Sequence, residues 1–189
     1  MPRRRGPPKP ITRDYLERSA LHYLERYAAS AEQLRRVLMR RVERAARAGV
    51  SDLEEGCGLA DAVVGRLVGK GLVNDSEFAL AKARSLHRRG RSRAVVARTL
   101  AAKGVDRESI ARALDALAED SADPELEAAL AFARRRRIGP FRAAQDRAAS
   151  RARDLATLGR GGFSFEIARR ILDAESPEEI AGELHDRSS

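Results

Sequence analysis

Apolar residues in this chain recur at helical spacing almost from end to end. Leu34, Val37, Leu38 and Val42 form one stripe, and Ile110, Ala113, Leu114 and Leu117 follow at i, i+3, i+4, i+7. Such spacing places them along one side of an α-helix. Val95, Val96 and Leu100 make a shorter stripe, as do Ile167, Ile171 and Leu172. Start and stop residues fall between the stripes. Ser30-Ala31-Glu32-Gln33 reads as a capping box, in which Ser and Gln satisfy each other's orphan amides. Asp75 is placed to cap a helix containing Phe78, Ala79 and Leu86; Gly90 stops it and Ser92 caps the next. Asp106 and Ser164 open two more. Asp123-Pro124-Glu125 sets a cap before a proline at the first helical position. No segment alternates apolar and polar residues with β-branched enrichment, so strands are not expected. The pattern predicts about nine helices and an all-α fold.

The helices repeat. A shift of 58 residues lays 97–115 on 155–173 without a gap, and seven of the 19 positions are identical. Leu100 falls on Leu158, Gly104 on Gly162, Arg112 on Arg170 and Asp115 on Asp173, while Val105 meets Phe163. A weaker first copy sets Leu38 for Leu100 and Val64 for Leu114, with extra residues at 42–59 as a loop or helix extension. A three-helix unit buries one face only, so neighbours must stack. The expected architecture is three tandem three-helix repeats stacked into an elongated, curved rod. Repeat one spans 11–75, repeat two 76–122 and repeat three 123–175. A disordered basic tail, 1–10, precedes them. An acidic C-terminal tail, 176–189, follows, with a short fraying helix from Ser176-Pro177. Gly71, Gly104 and Gly162 sit where a left-handed residue ends a helix.

Composition supports thin units. The 189 residues amount to about one domain, but 34% are charged, Trp is absent, and there are five Phe and three Tyr. The net charge of +9 favours a polyanionic partner, usually nucleic acid. Most of the basic residues are Arg, a skew that genomic base composition also produces. The single Cys57 excludes an internal disulfide and fits a reducing cytoplasm. Arg3, Arg4 and Arg5 have no apolar stretch behind them, so no signal peptide is expected. No apolar run is long enough to span a membrane.

The stretch Leu67-Val68-Gly69-Lys70-Gly71-Leu72-Val73-Asn74-Asp75-Ser76-Glu77-Phe78-Ala79 resembles the signature that joins the first two repeats of RecX proteins. Arg84, Arg88-Arg89-Gly90 and Leu100-Ala101-Ala102-Lys103-Gly104-Val105 are similar to that family's second repeat. Gly161-Gly162-Phe163-Ser164 with Ile171-Leu172 resembles its third. The likeness spans roughly residues 15–175 and departs at 42–59, where shorter family patterns run directly into a basic-Gly turn. It implies a monomeric cytoplasmic regulator that binds the RecA filament, with single-stranded DNA inside that filament within reach. It further implies lower RecA ATPase, strand-exchange and co-protease activity, and so modulated recombinational repair and SOS response.

No catalytic, metal or cofactor site is expected. His22, His87 and His185 lie far apart, and no Cys/His group has zinc-ligand spacing. Gly159-Arg160-Gly161-Gly162 lacks the P-loop lysine and reads as a helix stop. Asp115 and Asp173 read as structural partners of a neighbouring Arg. The candidate binding residues are three arginine clusters: Arg35-Arg36 with Arg40-Arg41; Arg88-Arg89 with Arg91 and Arg93; and Arg134-Arg135-Arg136-Arg137. The plain alternative is a set of solvated faces paired with Glu and Asp. The functional reading is contact with RecA's acidic surface or with the DNA backbone. The middle cluster brackets a helix start, where amides and dipole also favour an anion. Four consecutive arginines cannot share one helical face, so at least two of 134–137 must diverge. Base stacking on aromatics is disfavoured, because the aromatics sit on core spacings, with Phe165 as the exception. Two other functions stay open: a helix-turn-helix-like DNA-binding protein, against which the lone Asn74 counts, and a helical-repeat scaffold.

Overall fold

The capping residues set where the helices begin. In the computed structural model residues 8–186 are described; most of the expected basic tail therefore lies outside the described residues. Ten α-helices and one 3-10 turn, with no strand, make up the described residues. The described residues divide into two units: one runs to Phe78 and adds Lys103–Val105, the other holds Ala79–Ala102 and the residues from Asp106 onward.

In the first unit α1 (Arg13–Leu24), α2 (Ala31–Arg47) and α3 (Leu53–Gly69) pack on one another. Their core is Leu16, Leu34, Leu38, Val42, Val63 and Leu67, all fully buried. The extra residues at 42–59 lengthen α2 and α3, leaving only a short turn between them. α4 (Asp75–Arg88) begins in this unit, and its body belongs to the second. The second unit continues with α5 (Arg93–Ala102), α6 (Arg107–Glu119), α7 (Pro124–Arg136), the 3-10 turn (Gly139–Phe141), α8 (Ala144–Arg160), α9 (Phe165–Asp173) and α10 (Pro177–Asp186). Leu126, Phe132, Leu158, Phe163 and Ile171 centre its core. The short helix expected to fray in an acidic tail is instead docked. It buries Ile180 to 2% exposure in that core and packs Leu184 against it, because aliphatics four residues apart share its inner face.

Several positions matched by the 58-residue shift have like surroundings. Leu100 and Leu158 are fully buried, and Val105 and Phe163 are each 5% exposed. Thr99 and Thr157 each donate a hydroxyl to the carbonyl four residues back. Arg93 lies 3.9 Å from Asp115, and its counterpart Arg151 lies 2.5 Å from Asp173. The two aspartates thus pair with arginines, as expected. Gly71, Gly104 and Gly162 have φ of +71°, +79° and +85°.

The helix starts hold two corrections. Ser30 accepts from the Gln33 amide, but Gln33 does not reciprocate. Its amide nitrogen donates to the Tyr23 hydroxyl and its oxygen accepts from Lys103. Asn74, not Asp75, caps α4, accepting from the Ser76 and Glu77 amides. Asp75 reaches across to accept from the first amide of α2, Ala31, at 2.7 Å. The same joint recurs at α5. Glu125 accepts from the Arg93 amide at 3.0 Å. Ser30 donates to the Lys103 carbonyl, and Ser92 donates to the Gly161 carbonyl, just before Gly104 and Gly162 respectively. Each joint therefore satisfies an orphan N-terminal amide and a turn carbonyl with side chains distant in sequence. Replacing Asp75 with Ala is expected to lower the unfolding free energy by about 1–2 kcal/mol, with Asp75→Asn retaining most of it. Denaturant unfolding measures this, and wild-type stability in the Ala variant would show the joint to be idle. Elsewhere Asp106 caps α6, and the Ser109 amide and hydroxyl hold its carboxyl below the usual range.

Candidate functional site

Six arginines line α2. Arg35 pairs with Asp61 at 2.6 Å, and Arg36 with Glu32 at 2.8 Å. The hydrogen bond and charge of Asp61 hold Arg35 above its ordinary pKa. Arg40 is exposed and Arg41 half-buried, with its Nε lacking a hydrogen-bond partner. Because α2 runs to Arg47, Arg44 and Arg47 extend the row. Residues 36, 40, 44 and 47 fall within one side of the helix. The cluster expected from the sequence ends at Arg41, although the i, i+4, i+8, i+11 spacing carries the signal for the other two. Arg47 lies 3.9 Å from Glu43.

The other two clusters come together in the second unit. Arg88 ends α4 and Arg89 follows it, and Arg134, Arg135 and Arg136 close α7. Cations there complement the negative helix ends, which is the plain structural use of such residues. Arg135 donates to the Arg89 carbonyl at 3.0 Å. Arg88 and Arg134 line one groove of about 590 Å³ with His87, Leu130 and Phe141, and Glu127 and Glu178 on its rim. His87 is buried, with Nε2 2.6 Å from the Pro124 carbonyl. Arg136 stacks 5.7 Å over the Phe132 ring. Arg137 leaves the helix in the left-handed region, φ 54° and ψ 53°. The four consecutive arginines do diverge. Arg88, Arg91 and Arg134 are exposed, with no ion pair among the described residues.

Arg93 behaves differently. Its guanidinium donates to the Leu114 carbonyl at 2.9 Å and faces Asp115. The start of α5 is also closed to an outside anion. Ser92 caps the Val95 amide at 3.4 Å, and Glu125 takes the Arg93 amide. The expected anion site at that helix start is therefore filled from within, because an acid placed on α7 reaches it first.

Phe132 and Phe163 pack edge to face at 5.4 Å. Phe165 is 64% exposed, as anticipated. Tyr27 is also exposed, at 57%, against the core packing expected of it. Its ring instead leans on Tyr23 at 5.1 Å. Among the described residues no group of His, Cys, Asp and Glu could hold a metal ion, and no helix is long and apolar enough to cross a membrane.

Residues 74–114 match the family model described as RecX, second three-helix domain. The chain is 45% identical over 174 residues to the regulatory protein RecX of Myxococcus xanthus, covering 90% of this chain and 91% of that one. It is 31% identical over 169 residues to the regulatory protein RecX of Agrobacterium fabrum, covering 89% and 86%. The fold resembles the crystal structure of RecX from Lactobacillus salivarius, with a TM-score of 0.55, 17% identity, and 92% and 96% of the two chains covered.

Proposed function

Because the chain belongs to the RecX family of regulatory proteins, we propose that it binds the RecA filament on single-stranded DNA and restrains it. RecA's ATPase, strand-exchange and co-protease activities fall as a result, and with them recombinational repair and the SOS response are modulated in the cytoplasm. We take α1–α3, α4–α6 and α7–α9 as its three repeats. The observation that supports the reading most is the meeting of Arg88 and Arg89 with Arg134 and Arg135 in one unit. Two helix ends distant in sequence there present cations side by side. Surface pairs are individually weak, so affinity for a polyanionic assembly must come from several such charges acting together. The protein acts by binding, with no chemistry of its own.

Purified protein added to RecA, single-stranded DNA and ATP is expected to slow both ATP hydrolysis and filament growth. Unchanged rates at molar excess would overturn the proposal. Inhibition that weakens steeply with salt would assign the arginines to phosphates, whereas a shallow dependence would assign them to protein.

A further inference from the structure

Phe165 is the first residue of α9 and is 64% exposed. The helix itself does not ask for an aromatic there. The residue 58 positions earlier, Arg107, begins α6, follows an equivalent side-chain cap and is also exposed. Phe165 borders a cavity of about 500 Å³ between α9 and α10, where Ala174 and Ile180 supply further apolar lining. The rim carries Glu166, Asp173, Glu179 and Glu183 against Arg169 and Arg170. Both arginines are already held by carboxylates. Arg169 lies 3.5 Å from Asp173. Arg170 binds Asp123 at 2.9 Å and also Glu183. Glu166 and Glu179 are exposed; the Glu166 side chain makes no ion pair or hydrogen bond among the described residues, whereas the Glu179 carboxylate accepts from the Glu175 amide at 2.8 Å. The cavity thus sets one exposed ring, Phe165, beside the largely covered Ala174 and Ile180, among lining side chains of net negative charge, on a chain of net charge +9.

Nucleic acid is repelled by such a rim, and so is an anionic membrane. The sign is also opposite to that of the arginine surface in the same unit. An exposed ring beside carboxylates suits a chain segment that offers an apolar side chain between cations. We propose that the α9–α10 cavity receives a segment of the filament's protein component, one with an aliphatic or aromatic anchor flanked by lysine or arginine. This rests on the regulatory reading above and extends it: arginines face the anionic part of the filament, and this cavity faces a cationic part.

The test uses the full chain with the photo-crosslinking residue benzoylphenylalanine at position 165. It is bound to RecA filaments on single-stranded DNA and irradiated, and the adducts are mapped by mass spectrometry. ATP hydrolysis is followed in the same samples. The expected adduct is a RecA peptide holding an apolar residue among basic ones. Glu166→Lys, at an exposed position whose side chain has no partner among the described residues, should lower adduct yield by roughly threefold or more at unchanged helicity. Phe165→Ala should weaken inhibition without altering the thermal midpoint. Crosslinking to DNA would overturn the assignment. Absence of any adduct while ATP hydrolysis stays inhibited would overturn the cavity's role and leave the regulatory reading standing. Absence of both adduct and inhibition by the wild-type chain would overturn the two together.

Discussion

Reversing Arg88, Arg89, Arg91 and Arg134 to Glu in one variant should raise the concentration needed for half-inhibition of RecA roughly 100-fold. The magnitude follows from four exposed charges, each worth up to about 0.7 kcal/mol, with 1.4 kcal/mol per tenfold change in affinity. Arg93 is left in place, because its guanidinium holds the Leu114 carbonyl and Asp115; removing it would confuse folding with binding. The fold should be kept, since the four side chains stand in solvent, with the thermal midpoint lower by a few degrees because Arg88 and Arg134 no longer complement the ends of α4 and α7. The salt dependence then names the partner atoms. If the side chains meet phosphates of the single strand, the logarithmic salt slope of the variant should be shallower by about 0.7 for each phosphate no longer neutralised. If they meet acidic protein side chains, affinity drops with little change in slope. A variant that inhibits at wild-type concentrations would place the binding surface elsewhere, with the arginine row on α2 next in order.

The largest stability change should follow Gly90→Ala. Gly90 has φ +70°, a region costing a side-chain-bearing residue about 1–2 kcal/mol. A methyl group there would also lie 2.5 Å from the Phe132 nitrogen, 2.8 Å from its Cα and 3.0 Å from the Ala128 carbonyl oxygen. These are backbone atoms of α7, which cannot turn aside as a side chain can. Strain and overpacking together amount to about 3 kcal/mol or more, or a drop of roughly 6–12 °C in thermal midpoint. Gly71→Ala is the control. It has φ +71° but open space around it, so only the backbone strain applies. Equal midpoints for the two variants would show that the α4–α7 approach is looser than described. Since Arg135 reaches the Arg89 carbonyl across this approach, Gly90→Ala should also weaken inhibition.

The helices were legible because their starts were written in side chains that act locally. Ser30, Ser92, Asp106, Asp123 and Ser164 all cap where the sequence places them. The repeat was legible because buried positions keep their spacing, as Leu100 and Leu158 do. What the sequence did not disclose depends on groups brought together from afar. Asp75 and Glu125 look like ordinary first-turn acids, yet each serves a different helix. Arg93 looks like its neighbours, and only the approach of α6 distinguishes it. The charged end segment hid a docked helix, because two aliphatics, Ile180 and Leu184, pack it against the core amid many charges. The arginine surface was half visible: the clusters could be counted, but not the meeting of the second with the third.

The paired joints at Ser30 and Ser92 bear on how such a chain can vary in length. Each joint fixes an amide, a hydroxyl, a carboxylate and a carbonyl at once, so inserting or deleting a residue beside it would misplace all four. At the opposite end of the α2–α3 hairpin Ser51 accepts from the Ile11 amide at 2.7 Å, one bond where each joint makes several. There the surplus residues simply continued two helices outward, lifting the tip around Gly49 away from the joint. Growth and shrinkage of this lineage should therefore collect at hairpin tips, leaving the joints at a constant count.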